Sequence, residues 1–367
     1  MHGFQSKFRG SLLLALAVGA ILAGNSRWAA AQSWPVLPAR NGNVEIPAQE
    51  WPQRPGPRTV RVLVHYPGGE LATVTSKTGV MLTLHNWGGT DCVGTADPKE
   101  LARRFNVVAL CVNYLQSGPK DSIDGPEPYD FGYLQALDAL RALYWVTSKL
   151  KEAERPYADA RIYCTGGSGG GNVTLMANKL APRTFACAVD MCGMKKLNDE
   201  IAFNLPGNGG LNARWSRDPA SPNHLTVDEQ ELRFVGHPAH LAAMKRLGAT
   251  CRILVVHGVD DAATYRHAVE MVKNMQDAKL DVEPHFITAD RVDGTTFTTT
   301  GHALGNRTRI VLEVAGKYIE PGSPQALLRQ GATDFERRED VRYATSGGEF
   351  VISYQAGFPV GRFEKRE

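Results

Sequence analysis

The chain lacks several things that would assign it to a familiar class. It has no internal repeat, no low-complexity tract and no run of basic residues. Collagen-like, coiled-coil and wholly disordered chains are excluded by a composition with 43% hydrophobic and 22% charged residues. No Cys/His spacing of a zinc site occurs. The phosphate-binding pattern G-x-x-x-x-G-K-[ST] is also missing. Beyond the first two dozen residues, no stretch approaches the length of a membrane span. The slight basic excess, 41 against 38, comes from one place. Residues 1–31 hold Lys7, Arg9 and Arg27 and no acid, so the remainder is balanced. A balanced chain offers no electrostatic argument for a nucleic-acid partner or an anionic membrane.

What is present begins with that segment. Lys7 and Arg9 precede the apolar run Ser11 to Gly24, and Ala29-Ala30-Ala31 offers a small-residue cleavage signal. Residues 1–31 therefore read as a secretory signal peptide, which predicts export to the periplasm or the medium. Residues 32–58 are Pro-rich and read as an extended lead-in. Thr59 to Tyr66 alternates and reads as an edge strand. From residue 79 to 319 short apolar runs alternate with helical periodicity: Gly79 to His85, Asn106 to Val112, Arg161 to Thr165, Phe185 to Met191, Arg252 to His257 and Val282 to Ile287 are strands. Their continuous apolar character predicts an α/β fold, a mostly parallel sheet covered by helices on both faces. Residues 193–247 are too long for a simple connection and read as a cap over the strand ends. The tail, residues 322–367, carries hairpin signals and reads as an accessory element. Of the six cysteines, Cys92 and Cys192 lie just past strand ends and are the better candidates for a disulfide. Cys111, Cys164, Cys187 and Cys251 read as buried thiols.

The strongest chemical signal is Thr165-Gly166-Gly167-Ser168-Gly169-Gly170-Gly171. It satisfies G-x-S-x-G between a strand and a helix, with Gly166 and Gly170 as the elbow glycines. A serine on so sharp a turn stands at the helix N-terminus, where the macrodipole favours developing negative charge. It needs a base and an orienting acid. Asp261 follows the strand ending at His257, with Asp260 beside it. His302 lies in a loop before the last helix, whereas His267 and His285 fall inside a helix and a strand. Two backbone donors should hold the oxyanion: Gly169 N–H, and an N–H from the loop His85-Asn86-Trp87-Gly88-Gly89, with Trp87 favoured and Asn86 the alternative. The sequons at Asn172 and Asn306 flank this site and read as chance matches.

These segments give the chain a resemblance to the α/β-hydrolase superfamily, closest to prolyl-oligopeptidase-like catalytic domains and related bacterial esterases. The resemblance rests on His85 to Gly89, Gly166 to Gly170, His257 to Asp261 and His302, and spans about residues 59–319. Pro128 to Tyr133 and the helix after it are similar to an uncharacterised bacterial family of such hydrolases. Asn86 departs from the glycine usual after the oxyanion-loop histidine. The resemblance implies a serine hydrolase with an acyl-enzyme intermediate and no metal or organic cofactor. Oligopeptidases of this branch carry a β-propeller for which residues 32–58 leave no room, so the expected reaction is carboxylic-ester hydrolysis. A peptidase on the same residues, acting on short peptides, is the first alternative. A non-catalytic binding protein on the scaffold is the second, and a lid-gated lipase fits the polar insertion less well. The loop from Tyr114 to Tyr129 and the cap are expected to shape the pocket.

Overall fold

A computed structural model describes residues 34–119 and 125–366. The signal-peptide reading falls outside the described residues. Along the chain, strands β1 (Gly42–Ala48), β2 (Arg58–His65) and β3 (Gly79–Leu84) lead to helix α1 (Pro98–Phe105). Then come β4 (Val107–Asn113), α2 (Tyr133–Glu152), β5 (Ile162–Gly167), α3 (Gly169–Leu180) and β6 (Cys187–Met191). The insertion holds α4 (Asp199–Ala202), α5 (Val227–Leu232) and α6 (Pro238–Leu247). It is followed by β7 (Arg252–Gly258), α7 (Tyr265–Asp277), β8 (Val282–Ile287) and α8 (Arg307–Ile319). The tail adds α9 (Asp334–Arg337), β9 (Asp340–Ala344), β10 (Gly348–Ser353) and β11 (Val360–Lys365).

The central sheet has the order β1-β2-β4-β3-β5-β6-β7-β8. Strands β3 to β8 run parallel, and β2 is antiparallel to both of its neighbours. This is the α/β-hydrolase topology. The apolar runs are explained by burial on both sides: every residue of β3, β5 and β6 is buried. On one face Met81, Tyr163, Val189 and Leu254 meet Leu101 and Phe105 of α1 and Ile310 and Val314 of α8. On the other, α3 covers the sheet, with Cys164 Sγ donating to Thr174 Oγ1.

Two expectations need correction. Thr59 to Tyr66 is not an edge strand. The edge is β1, inside the lead-in, which pairs with β2 from Gly42↔Val64 to Ala48↔Arg58. The sheet therefore begins well before residue 59. Pro47, which hid the strand from a propensity reading, is tolerated because an outer strand can spare an N–H. The disulfide is Cys92–Cys111, with Cα atoms 5.7 Å apart, and Cys192 is a free buried thiol. The sheet register sets Cys111 beside Thr83. The loop after β3 folds back so that Cys92 Sγ reaches Thr83 Oγ1 at 3.2 Å.

The insertion has its own apolar interior. Leu197, Ile201, Ala213, Trp215 and Leu225 pack with Tyr129, Phe131 and Met194, and Trp87 lies against them. Helix α5 starts with a capping box, Thr226 with Glu229. The tail forms an antiparallel sheet, β11-β10-β9, and is joined to the core. Arg183 pairs with Asp334 at 2.7 Å, both buried.

Candidate active site

Strand β5 ends at Gly167 and α3 begins at Gly169, so Ser168 occupies the corner alone. Its backbone sits at φ 55° and ψ −118°, a strained conformation for a residue with a side chain. The strain is held by close packing. A Cβ on Gly166 would lie 2.1 Å from Gly170 O, and one on Gly170 would lie 2.0 Å from Leu84 O. Only glycine fits either position. Ser168 N–H donates to Met191 O at 2.8 Å, which ties the corner to the neighbouring strand.

The corner points the Ser168 hydroxyl at His302, with Oγ 2.8 Å from Nε2. His302 Nδ1 lies 2.7 Å from Asp261 Oδ2. The carboxylate can only accept, so Nδ1 carries the proton and Nε2 is free to accept from the serine. The loop that presents His302 is anchored by Leu304, which is fully buried, and by Thr298 N–H donating to Leu304 O at 2.8 Å. The His302 side chain is 43% exposed and that of Asp261 only 6%. A solute can therefore reach the imidazole, while the carboxylate behind it is shielded. Burial alone would push the Asp261 carboxyl up. Hydrogen bonds from His257, His302 and Thr264 and the charge of His302 outweigh it and hold the group well below the ordinary carboxylate range. Asp260, its neighbour, faces Thr300 instead.

The structure also brings the two expected amide donors together. A Cβ on Gly169 would lie 2.5 Å from Trp87 N, so the two residues are in direct contact. Among the described residues neither Trp87 N–H nor Gly169 N–H donates to a protein acceptor. Asn86 is ruled out as the donor, because its N–H goes to Val93 O at 3.0 Å. Below this loop His85 Nε2 meets Ser117 Oγ at 2.7 Å, and Tyr114 O–H donates to His85 O at 2.5 Å. Burial pushes the His85 imidazole down to about 4, so it is neutral at pH 7. The Trp87 indole stacks on Tyr129 with ring centroids 3.8 Å apart and meets Phe131 edge-on. The partly exposed Trp87 ring thus adjoins the free amides, backed by two fully buried rings. His267 and His285 lie elsewhere, against Arg266 and Glu283.

Sequence reasoning gave no role to three residues. Thr264 O–H donates to Asp261 Oδ2 at 2.8 Å, and His257 Nε2 lies 3.2 Å from the same oxygen. Arg307 donates to Gly94 O at 2.5 Å and fills the space where a side chain on Gly167 would stand. Only the TTxxH-like run before the last helix and the histidine ahead of Gly258 hinted at polar company near the site. Cys192, His257 and Asp261 have ligand-type atoms within 4.8 Å of one another. Asp261 Oδ2 already takes hydrogen bonds from Thr264 and His302, His257 Nε2 is bonded to Thr264 Oγ1, and the ammonium of Lys195 lies 3.4 Å from His257 Nδ1. The donor set is thus engaged within the protein.

Residues 143–318, which contain Ser168, Asp261 and His302, match the prolyl oligopeptidase family model. No curated protein is found as a sequence relative. Among solved structures, the acylaminoacyl peptidase of Pyrococcus horikoshii is similar at a TM-score of 0.50 and 11% identity. The match covers 77% of this chain and 42% of that one. An acylaminoacyl peptidase in complex with Z-Gly-Gly-Phe-chloromethyl ketone gives 0.50 and 11%, covering 81% and 44%. A fungal esterase from Rhizomucor miehei gives 0.49 and 13%, covering 75% and 82%. The chain spans less than half the length of the peptidases it matches. The likeness to the solved peptidases shows the α/β-hydrolase fold.

Proposed function

We propose that this chain of the α/β-hydrolase fold is a serine hydrolase that cleaves carboxylic esters of small molecules. On this reading Ser168 Oγ attacks the carbonyl carbon and passes its proton to His302 Nε2. Asp261 holds the imidazole in place and balances the imidazolium. The tetrahedral oxyanion takes the amide protons of Trp87 and Gly169. Collapse expels the alcohol, which receives the proton from His302, and leaves the acyl group on Ser168. Water, deprotonated by the same imidazole, then releases the acid. The scheme asks for no cofactor.

The observation that carries the reading is the hydrogen-bonded line Ser168–His302–Asp261 ending beside two unengaged amides. The half-exposed imidazole and the partly exposed Trp87 ring beside the amides suit a small substrate with an apolar group. A second reading, a serine peptidase acting on short peptides, is favoured by the family match. The test compares p-nitrophenyl acetate with a peptidyl p-nitroanilide in wild type and Ser168→Ala. Ester cleavage lost in the variant, with the anilide left intact, supports the esterase. Preference for the anilide transfers the site to the peptidase reading. A wild-type chain inert to both and unlabelled by a fluorophosphonate overturns hydrolysis altogether.

Export is part of the same proposal. The basic, apolar and small-residue order of residues 1–31 supports it, and the Cys92–Cys111 disulfide suits an oxidising compartment. A protein recovered from cells with Met1 still at its N-terminus would overturn it.

A further inference from the structure

Behind the Asp261 carboxylate lies a second set of polar side chains that the reaction above does not use. Asp190, on β6, and Lys195, just beyond it, are both 0% exposed and pair at 2.6 Å. A buried ion pair seldom adds net stability over apolar residues of the same size, so packing alone gives no reason for it. An ammonium has three hydrogens to donate and cannot accept. Here the ammonium lies 2.6 Å from Asp190 Oδ2 as an ion pair and donates to the Gly193 carbonyl. It also faces Nδ1 of His257 at 3.4 Å. Nδ1 must therefore be the accepting nitrogen, and the neutral His257 ring carries its proton on Nε2. Burial and the Lys195 charge both keep this ring neutral by holding its pKa below the ordinary value.

The consequence appears on the other side of the ring. His257 Nε2 lies 3.2 Å from Asp261 Oδ2 and 3.1 Å from Thr264 Oγ1. Thr264 already gives its own hydrogen to Asp261 Oδ2 at 2.8 Å. The same oxygen receives His302 Nδ1–H at 2.7 Å. A carboxylate held by one donor can swing about its bond to the backbone; here Oδ2 takes hydrogen bonds from His302 and Thr264, and the His257 Nε2–H, bonded to the Thr264 oxygen and 3.2 Å from Oδ2, fixes the hydroxyl that holds it.

We propose that Asp190, Lys195 and His257 are positioning residues for Ser168. Lys195, anchored by Asp190, sets the tautomer of His257, and His257 Nε2–H with Thr264 holds Asp261 in the orientation that His302 requires. The line Asp190–Lys195–His257–Thr264–Asp261–His302–Ser168 runs from the interior of the sheet to the half-buried nucleophile. The proposal rests on the triad reading given above.

Two measurements test it. Nitrogen-15 NMR of the labelled histidines in the intact chain at neutral pH reads the tautomer without any substrate. His257 should show a protonated Nε2 and a bare Nδ1. A His257 with its proton on Nδ1, or an imidazolium, overturns the proposal. The rate of fluorophosphonate labelling then reports the reactivity of Ser168 whatever its substrate. His257→Leu should slow labelling about tenfold, the worth of one hydrogen bond to a charged group. His257→Gln, whose amide N–H reaches the place of Nε2, should restore most of the rate. Lys195→Met combined with Asp190→Asn removes both buried charges together. It should move His257 toward the Nδ1–H form and slow labelling by a similar factor. Labelling of His257→Leu at the wild-type rate, or equal losses in the Leu and Gln variants, overturns the proposal. A wild-type chain that resists the probe overturns the hydrolase reading and this one with it. Normal labelling with the wrong tautomer overturns this one alone.

Discussion

The Thr300 hydroxyl donates to Asp260 Oδ2 at 2.5 Å, and Asp260 N–H donates back to the Thr300 carbonyl at 2.9 Å. Two loops far apart in sequence are clipped together by this exchange. One carries Asp261, the other His302. Thr300→Val keeps the shape and removes the hydroxyl donor. Because the bond is exposed, kcat for an activated ester should fall only roughly threefold, with the melting temperature nearly unchanged. Steady-state kinetics beside a thermal melt separates this from a general loss of stability.

Ser168→Ala should lower kcat for p-nitrophenyl acetate by roughly 10⁴ or more, and Asp261→Asn by roughly 10³–10⁴. Circular dichroism should show both folded. A rate within tenfold of wild type in either would remove that residue from the triad.

Cys92–Cys111 closes a 19-residue separation and ties the loop that carries Trp87 to β4. Replacing both cysteines by serine should cost about 3 kcal/mol in denaturant unfolding. The unreduced, denatured protein should titrate four thiols, those of Cys164, Cys187, Cys192 and Cys251, and six after reduction. Six thiols before reduction would remove the bridge.

Acid should destabilise the fold in two stages. Burial pushes His85 and His267 down to about 4 in the folded chain. In the unfolded chain both take up protons below about 6.5. The unfolded state thus binds more protons between these values, so stability falls as pH falls through that window. Asp261, depressed in the folded chain, contributes stability that is present above its unfolded value of about 3.9 and is lost as pH falls below it. Melting temperatures at pH 7, 5.5 and 4.5 should step downward. A flat profile would contradict the burial of these imidazoles.

Asp334→Ala would take from Arg183 the partner of both its backbone N–H and its Nε and leave the buried guanidinium only the exposed Glu339 at 3.0 Å. Breaking a buried pair from one side costs about 3–5 kcal/mol. Urea unfolding should register that loss, and a change under 1 kcal/mol would show that solvent reaches the guanidinium after all.

The sheet from β3 to β8 was legible because parallel strands covered on both sides leave an apolar imprint, as in Asn106 to Val112. The elbow was legible because its glycines are demanded by backbone contact. Strand β1 was not, since Gly42–Ala48 alternates weakly, ends near a proline and owes its form to pairing with β2. Cys111 gave no sign of its bridge, because its partner arrives through a loop whose path is tertiary. Arg307 and Lys195 were equally silent. Their places depend on which strand ends converge, and a charged residue in an apolar stretch such as Phe185 to Met191 marks only that something answers it.

Tyr343 O–H caps the carbonyl of Lys179, and Tyr354 O–H caps that of Leu180 at 2.9 Å. These are the last carbonyls of α3, the helix whose first turn follows Ser168. A rod of 12 residues, about 18 Å long, therefore has the reacting corner at one end and the terminal sheet clasping the other. Proteolytic trimming of residues 340–366 would release that far end, and its slackening would be felt at the serine itself.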